Sequence, residues 1–201
     1  MRLLLIRHGE SEGNANGVAQ GHADLPLTER GRRQAEATAA ALSGGSIARV
    51  VSSPLSRAHA TASTIAAALG VGVEVDDDLI EHDVGAVSGL TWPEIRERFP
   101  DLAAAWSVGS RVPAPGEEPR DRFIARVSPF LERVRMTDGT TVAVAHGGVI
   151  NAACYVVLQM DHRQRGAFAA GNCAITEFTT DRAGRLVLAR HNDACHLDGV
   201  R

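Results

Sequence analysis

Short aliphatic runs alternate with segments of helical periodicity along most of this chain, and that alternation constrains the fold more than any other feature. Residues 2–6 and 141–145, the segment Arg49-Val50-Val51-Ser52 and the alternating Val71, Val73 and Val75 have the length and branching of buried strands. Thr28 reads as the N-cap of a helix whose small face is Gly31, Ala35, Thr38, Ala39 and Leu42, closed by Gly44-Gly45. Ser53-Pro54 predicts a second helix start with proline at its first position, and Ala58, Ala62, Ile65, Ala66 and Leu69 form its stripe up to Gly70. Residues 120–136 resume helical spacing with a kink expected at Pro129, and 148–159 continue as a helix faced by Val149, Ala152, Ala153 and Val156. Near the end, 173–179 and 185–190 flank Asp181-Arg182-Ala183-Gly184 as a hairpin. Strands alternating with helices predict an α/β fold with a mostly parallel central sheet covered on both faces.

A chain of 201 residues suits one domain. Residues 91–119 hold Trp92, Trp106 and most of the prolines, which reads as an insertion of short helices and turns over the sheet edge. A net charge of −3 gives no global attraction for nucleic acid or an anionic membrane, so anion specificity has to come from a local cluster. Cys154, Cys173 and Cys195 form no C-x-x-C pair, which argues against a disulfide framework and a Cys-rich zinc site. The apolar stretch before Arg7 is too brief for a signal or membrane segment, so a cytoplasmic protein is expected. Asp76-Asp77-Asp78 reads as a solvated turn rather than a metal site.

Each candidate strand is followed by a residue suited to phosphate chemistry. The first gives Arg7 and His8, the second Arg57, the third Glu81 and the fourth His146-Gly147-Gly148. In a parallel sheet these lie at one edge, where α/β proteins bind ligands. Gly9 is expected to let the backbone turn there, and Glu10 to support the loop. Arg57 sits in the first turn of its helix, where the dipole disfavours a cation and a bound anion reverses the penalty. The two glycines after His146 allow a sharp strand-to-helix turn with backbone N–H groups facing an anion.

Arg7-His8-Gly9-Glu10 with Asn14, Gln20-Gly21, Pro26-Leu27-Thr28, Gly31 and Gln34-Ala35 resembles the opening of the histidine phosphatase superfamily, the phosphoglycerate mutase-like family. Residues 52–58 with Thr61-Ala62 resemble its second block, Leu79-Ile80-Glu81 with Gly85 and Gly89 its acid-donor block, residues 145–150 its last block and residues 192–197 its closing segment. The resemblance spans nearly the whole chain and implies a three-layer α/β/α sandwich in which His8 is transiently phosphorylated. It implies that Arg7, Arg57 and His146 hold the phosphoryl group, with Asn14 as a neutral donor and Gln20, Gly21 and Gly147 beside it. Glu81 would protonate the leaving alkoxide and later take a proton from water, which requires it to carry a proton at the first step. No metal and no cofactor are implied.

The expected partner is a small phosphorylated metabolite, not nucleic acid or membrane, and a homodimer is left open. His22 reads as loop structure or a substrate contact, His59 as helix surface, and His82 and His196 as rim or structural residues. Trp92 and Trp106 pack the insertion or shape an apolar leaving-group site. The chain departs from the family pattern at Gly85-Ala86-Val87-Ser88-Gly89 and at Gly116-Glu117-Glu118-Pro119, which bears on substrate choice. The interval from Glu81 to His146 is shorter than in the true mutases, so a phosphatase is favoured over a 2,3-bisphosphoglycerate-dependent mutase. A protein phosphohistidine phosphatase, a non-catalytic phosphate-binding module and a metallophosphatase are the remaining alternatives.

Overall fold

The alternation is realised as a six-stranded sheet. In the computed structural model, which describes residues 1–161 and 167–200, the strands are β1 (Arg2–Arg7), β2 (Val18–Ala19), β3 (Arg49–Ser52), β4 (Val73–Val75), β5 (Leu90–Thr91), β6 (Thr140–Ala145), β7 (Ile175–Thr180) and β8 (Leu186–Asp193). The helices are α1 (Glu12–Ala15), α2 (Glu29–Leu42), α3 (Ser56–Leu69), α4 (Trp92–Arg98), α5 (Pro100–Ser107), α6 (Arg120–Arg135) and α7 (Gly147–Leu158). Sheet order is β4-β3-β6-β1-β7-β8. The first four run parallel and the closing hairpin β7–β8 antiparallel, with Leu4 opposite Val142 on one side and Glu177 on the other.

The side chains of β1 alternate between two cores. Leu3 and Leu5 pack with Phe123, Val127, Phe130 and Val149 beneath α6 and α7, while Leu4 and Ile6 pack with Ala39, Ala58, Ala62 and Ile65 beneath α2 and α3. This is the α/β/α sandwich. Burying one leucine or isoleucine contributes roughly 1.5–3 kcal/mol, so the four central residues of β1 anchor both layers. Thr28 caps α2 as expected, its hydroxyl accepting from Gly31 N at 3.0 Å.

One expectation is corrected. α3 begins at Ser56, two residues past the expected proline start, because Ser53 stays tied to the sheet through its N–H to Val144 O and keeps the chain extended. A tertiary cap replaces the local one: Asp24 Oδ1 accepts from both Ser56 N and Ser56 Oγ at 2.8 Å. Residues 91–119 hold α4 and α5, whose small core of Leu90, Ile95, Leu102 and Ala103 also takes in Val87, and β5 pairs with β2. Trp106 and Arg111 share a cavity with Gly147 and Gly148, which follow β6.

Other differences are smaller. α6 is continuous across Pro129, whose missing N–H leaves the Ala125 carbonyl without its intrahelical donor. Asp76 and Asp78 each hold Arg133 of α6 at 2.7 Å, so the acidic turn is paired rather than merely solvated.

Gly9 is required by close packing and not by a turn. A Cβ there would lie 2.4 Å from Gly31 O, and a Cβ on Gly31 would lie 2.0 Å from Glu10 O. The start of α2 is thus seated against the loop that carries His8. Gly31→Ala is expected to destabilise the protein by about 2–3 kcal/mol, as backbone has to move to relieve the overlap. Urea unfolding of the variant checks this, and an unchanged midpoint would show the contact to be yielding.

Candidate active site

A cavity of about 320 Å³ opens at the carboxyl ends of the strands, lined by Arg7, His8, Asn14, Gln20, Gly21, Arg57, Glu81 and Gly148. Most of the strand-end residues singled out in the sequence meet there. His146 lies wholly buried behind it, its ring centroid 5.1 Å from that of His8, and Gly147 lines an adjoining cavity instead.

His8 Nδ1 lies 2.7 Å from Gly9 O. A carbonyl only accepts, so Nδ1 carries the hydrogen. Burial first, then the charges of Arg7 and Arg57, push the His8 pKa down to about 3. The ring is therefore neutral near neutral pH and Nε2 keeps its lone pair. Thr61 Oγ1 accepts from Gly9 N at 3.0 Å and fixes the same loop from α3.

The cations are held by carbonyls. Arg7 Nη1 donates to Ala170 O at 2.6 Å, and Arg57 donates to Ala23 O and Gly21 O, both at 2.9 Å. The nearest carboxylate to Arg57 is Asp24, at 3.9 Å. Burial lowers the pKa of both guanidiniums. A buried charge is costly without a partner, and six buried side-chain atoms lack one among the described residues, including Arg7 Nε, Arg57 Nε and His146 Nδ1.

His146 Nε2 is 2.8 Å from Ser53 Oγ. That hydroxyl already accepts from Leu55 N at 3.3 Å, and its own hydrogen can go to Nε2. The His146 hydrogen is then on Nδ1, a donor that no described residue satisfies. Burial, followed by His8, Arg57 and Arg7, holds this histidine well below its ordinary pKa.

Glu81 stands across the cavity. Its carboxylate accepts from His82 N at 2.9 Å and Gly148 N at 3.2 Å. A Cβ on Gly148 would fall 2.2 Å from Glu81 Oε1, so that glycine makes room for the acid. The Glu81 carbonyl accepts from His22 Nε2 at 2.8 Å and Arg126 Nη2 at 2.9 Å. His22 is therefore loop structure. His82 lines the cavity while it contacts Glu118 O and the Phe123 ring. His196 binds Thr38 Oγ1, away from the cavity, and His59 is exposed on α3. Glu10 supports the loop through Thr28 and Arg30.

Sequence reasoning missed Ser53, Thr61, Arg126 and Asn172. Ser53 and Thr61 lay within recognised blocks but read as helix positions. Arg126 and Asn172 carry no local signal at all.

The second cavity, of about 330 Å³, shares His82, Val84 and Gly148 with the first. Ala19, Val87, Trp106 and Phe123 give it apolar walls, Arg111 and Arg120 bring guanidinium groups, and Glu117 brings a carboxylate. Trp106 stacks on Trp92 and carries Arg111 over its ring at 5.5 Å. Cys154 and Cys173 are buried free thiols pushed up to about 12 by burial, and Cys195 is free and exposed. Among the described residues no group of three His, Cys, Asp or Glu side chains could hold a metal ion, and no helix is long and apolar enough to cross a membrane.

Fold and cavity together place histidines and arginines at the strand ends of an α/β/α sandwich. The sequence profile of the histidine phosphatase superfamily (branch 1) matches residues 3–194, and the chain belongs to that family. It is 44% identical over 145 residues to a bifunctional protein of Mycobacterium tuberculosis, covering 71% of this chain and 40% of that one, so it spans less than half of that relative's length. It is 34% identical over 200 residues to phosphoserine phosphatase 1 of Hydrogenobacter thermophilus, covering 98% of this chain and 94% of the relative. The solved mycobacterial glucosyl-3-phosphoglycerate phosphatase in complex with VO3 superposes with a TM-score of 0.84 at 31% identity, covering 96% of this chain and 99% of the other.

Proposed function

We propose that this chain is a metal-independent phosphatase that hydrolyses a small phosphate monoester through a phosphohistidine on His8. Residues 1–201 act as one catalytic unit with 91–119 as its insertion. The neutral His8, with Nδ1–H held on Gly9 O, carries the reading. Its Nε2 attacks phosphorus while Arg7, Arg57, Asn14 and His146 donate to the equatorial oxygens. Glu81 gives a proton to the leaving oxygen, then takes one from the water that cleaves the P–N bond.

The second cavity receives the leaving group. Its apolar walls and two guanidiniums, with the one lining carboxylate, Glu117, accepting from Ala114 N, fit a short carbon chain ending in a carboxylate. The names of two relatives, a phosphoserine phosphatase and a glucosyl-3-phosphoglycerate phosphatase, carry the same chemistry.

The test is phosphate release in EDTA from phosphoserine, 3-phosphoglycerate, sugar phosphates and an aryl phosphate, with and without 2,3-bisphosphoglycerate. Release without the bisphosphate is expected, whereas isomerisation that depends on it would make the chain a mutase. Loss of activity in EDTA with recovery on metal addition would overturn the metal-independent mechanism. Arg111→Ala is expected to raise KM for a carboxylated substrate about tenfold and to leave the aryl phosphate unaffected. Equal effects on both would remove Arg111 from carboxylate recognition.

A further inference from the structure

The turn before β7 reaches into the site from behind. Asn172 Nδ2 donates to the His8 carbonyl and to Asn14 Oδ1, both at 3.0 Å. A backbone group with only one possible part fixes each of these two amides. A carbonyl only accepts, so the end of Asn172 that faces His8 O is its nitrogen. A backbone N–H only donates, so the end of Asn14 that faces Ser11 N at 3.2 Å is its oxygen. Asn14 Oδ1 thus takes Ser11 N, Ser11 Oγ at 3.1 Å and Asn172 Nδ2, and no described residue hydrogen-bonds Asn14 Nδ2. Asn14 lines the phosphate cavity, whereas Asn172 does not.

We propose that Asn172 is a positioning residue for phosphate binding, whose amide locks Asn14 with its NH2 group toward the phosphoryl oxygens. It acts through Asn14 and touches no reacting atom. Without it, the His8 carbonyl retains Cys173 N at 3.3 Å, while Asn14 loses a bond that opposes rotation of its amide. Aspartate at 172 would place oxygens against two acceptors and draw the Asn14 NH2 group away from the cavity.

The inference rests on the phosphatase reading, so its test includes a binding step that needs no turnover. Orthovanadate binding is measured by calorimetry beside aryl phosphate hydrolysis. Asn172→Asp and Asn172→Ala are each expected to raise the vanadate Kd and lower kcat/KM about tenfold, the scale of one hydrogen bond to a charged group. In an Asn14→Ala background the same changes are expected to cost less than twofold, because the residue they act through is gone. Equal losses in both backgrounds would overturn the proposal, as would wild-type vanadate affinity in the Asn172 variants. Asn172→Ala adds no charge, and its cycle decides the matter where the aspartate variant does not fold. A wild-type protein that neither binds vanadate nor releases phosphate would overturn the phosphatase reading and this inference with it.

Discussion

His8→Ala is expected to lower phosphate release by about ten-thousandfold or more, the scale on which covalent nucleophiles act. His82 also lines the cavity, with its Nε2 held on Glu118 O. Arg7 and Arg57 are cations without a lone pair to give, His146 is buried behind His8, and the carboxylate of Glu81 is engaged by two backbone N–H groups. The variant keeps the two arginines, so inorganic phosphate and vanadate are still expected to bind. Rapid quenching of wild-type protein with labelled substrate is expected to trap an acid-labile phosphate on His8, absent from the variant. Turnover of His8→Ala within tenfold of wild type, or a quench that traps nothing, would show that the ester is cleaved by direct attack of water.

The strands and their ends were legible because buried parallel strands are written as short aliphatic runs, and each run is followed within six residues by one that lines the cavity. Arg7, His8, Arg57 and Glu81 could be placed at one edge from topology alone. What governs their chemistry was not legible. The tautomer of His8 depends on which way Gly9 O points, and the neutrality of its ring depends on burial between two guanidiniums. Gly9 looked like a turn glycine because its neighbour across space, Gly31, is invisible from a linear reading. The late start of α3 has the same origin, since Ser53 is held by Val144 and His146, some ninety positions away. Asn172 and Arg126 show the limit most clearly. Each serves the site by donating to main-chain carbonyls, and a carbonyl leaves no mark on the residue types around it.

Acid is expected to destabilise this fold in a window where most proteins change little. His8 and His146 both have folded pKa values below the ordinary histidine value, through burial and the nearby arginine charges. In the unfolded chain each returns to about 6.5. Between that value and the folded one, the unfolded state binds more protons, so stability is complete above about pH 6.5 and falls as pH drops toward 3. Between pH 7.5 and pH 5 His8 accounts for about 2 kcal/mol, and His146 adds in the same direction. The half-buried His196, also lowered, adds in the same direction. Urea unfolding at the two pH values checks the sum. Asparagine at position 8 cannot titrate, so His8→Asn is expected to lose about 2 kcal/mol less than wild type on acidification; a variant with the full wild-type pH dependence would refute the assignment. Inorganic phosphate neutralises Arg7 and Arg57, the charges that oppose protonation, and stabilises the folded state by mass action. It is therefore expected to flatten the wild-type profile. The burial and the nearby arginine charges that keep His8 neutral at neutral pH are the same features expected to make the protein acid-labile.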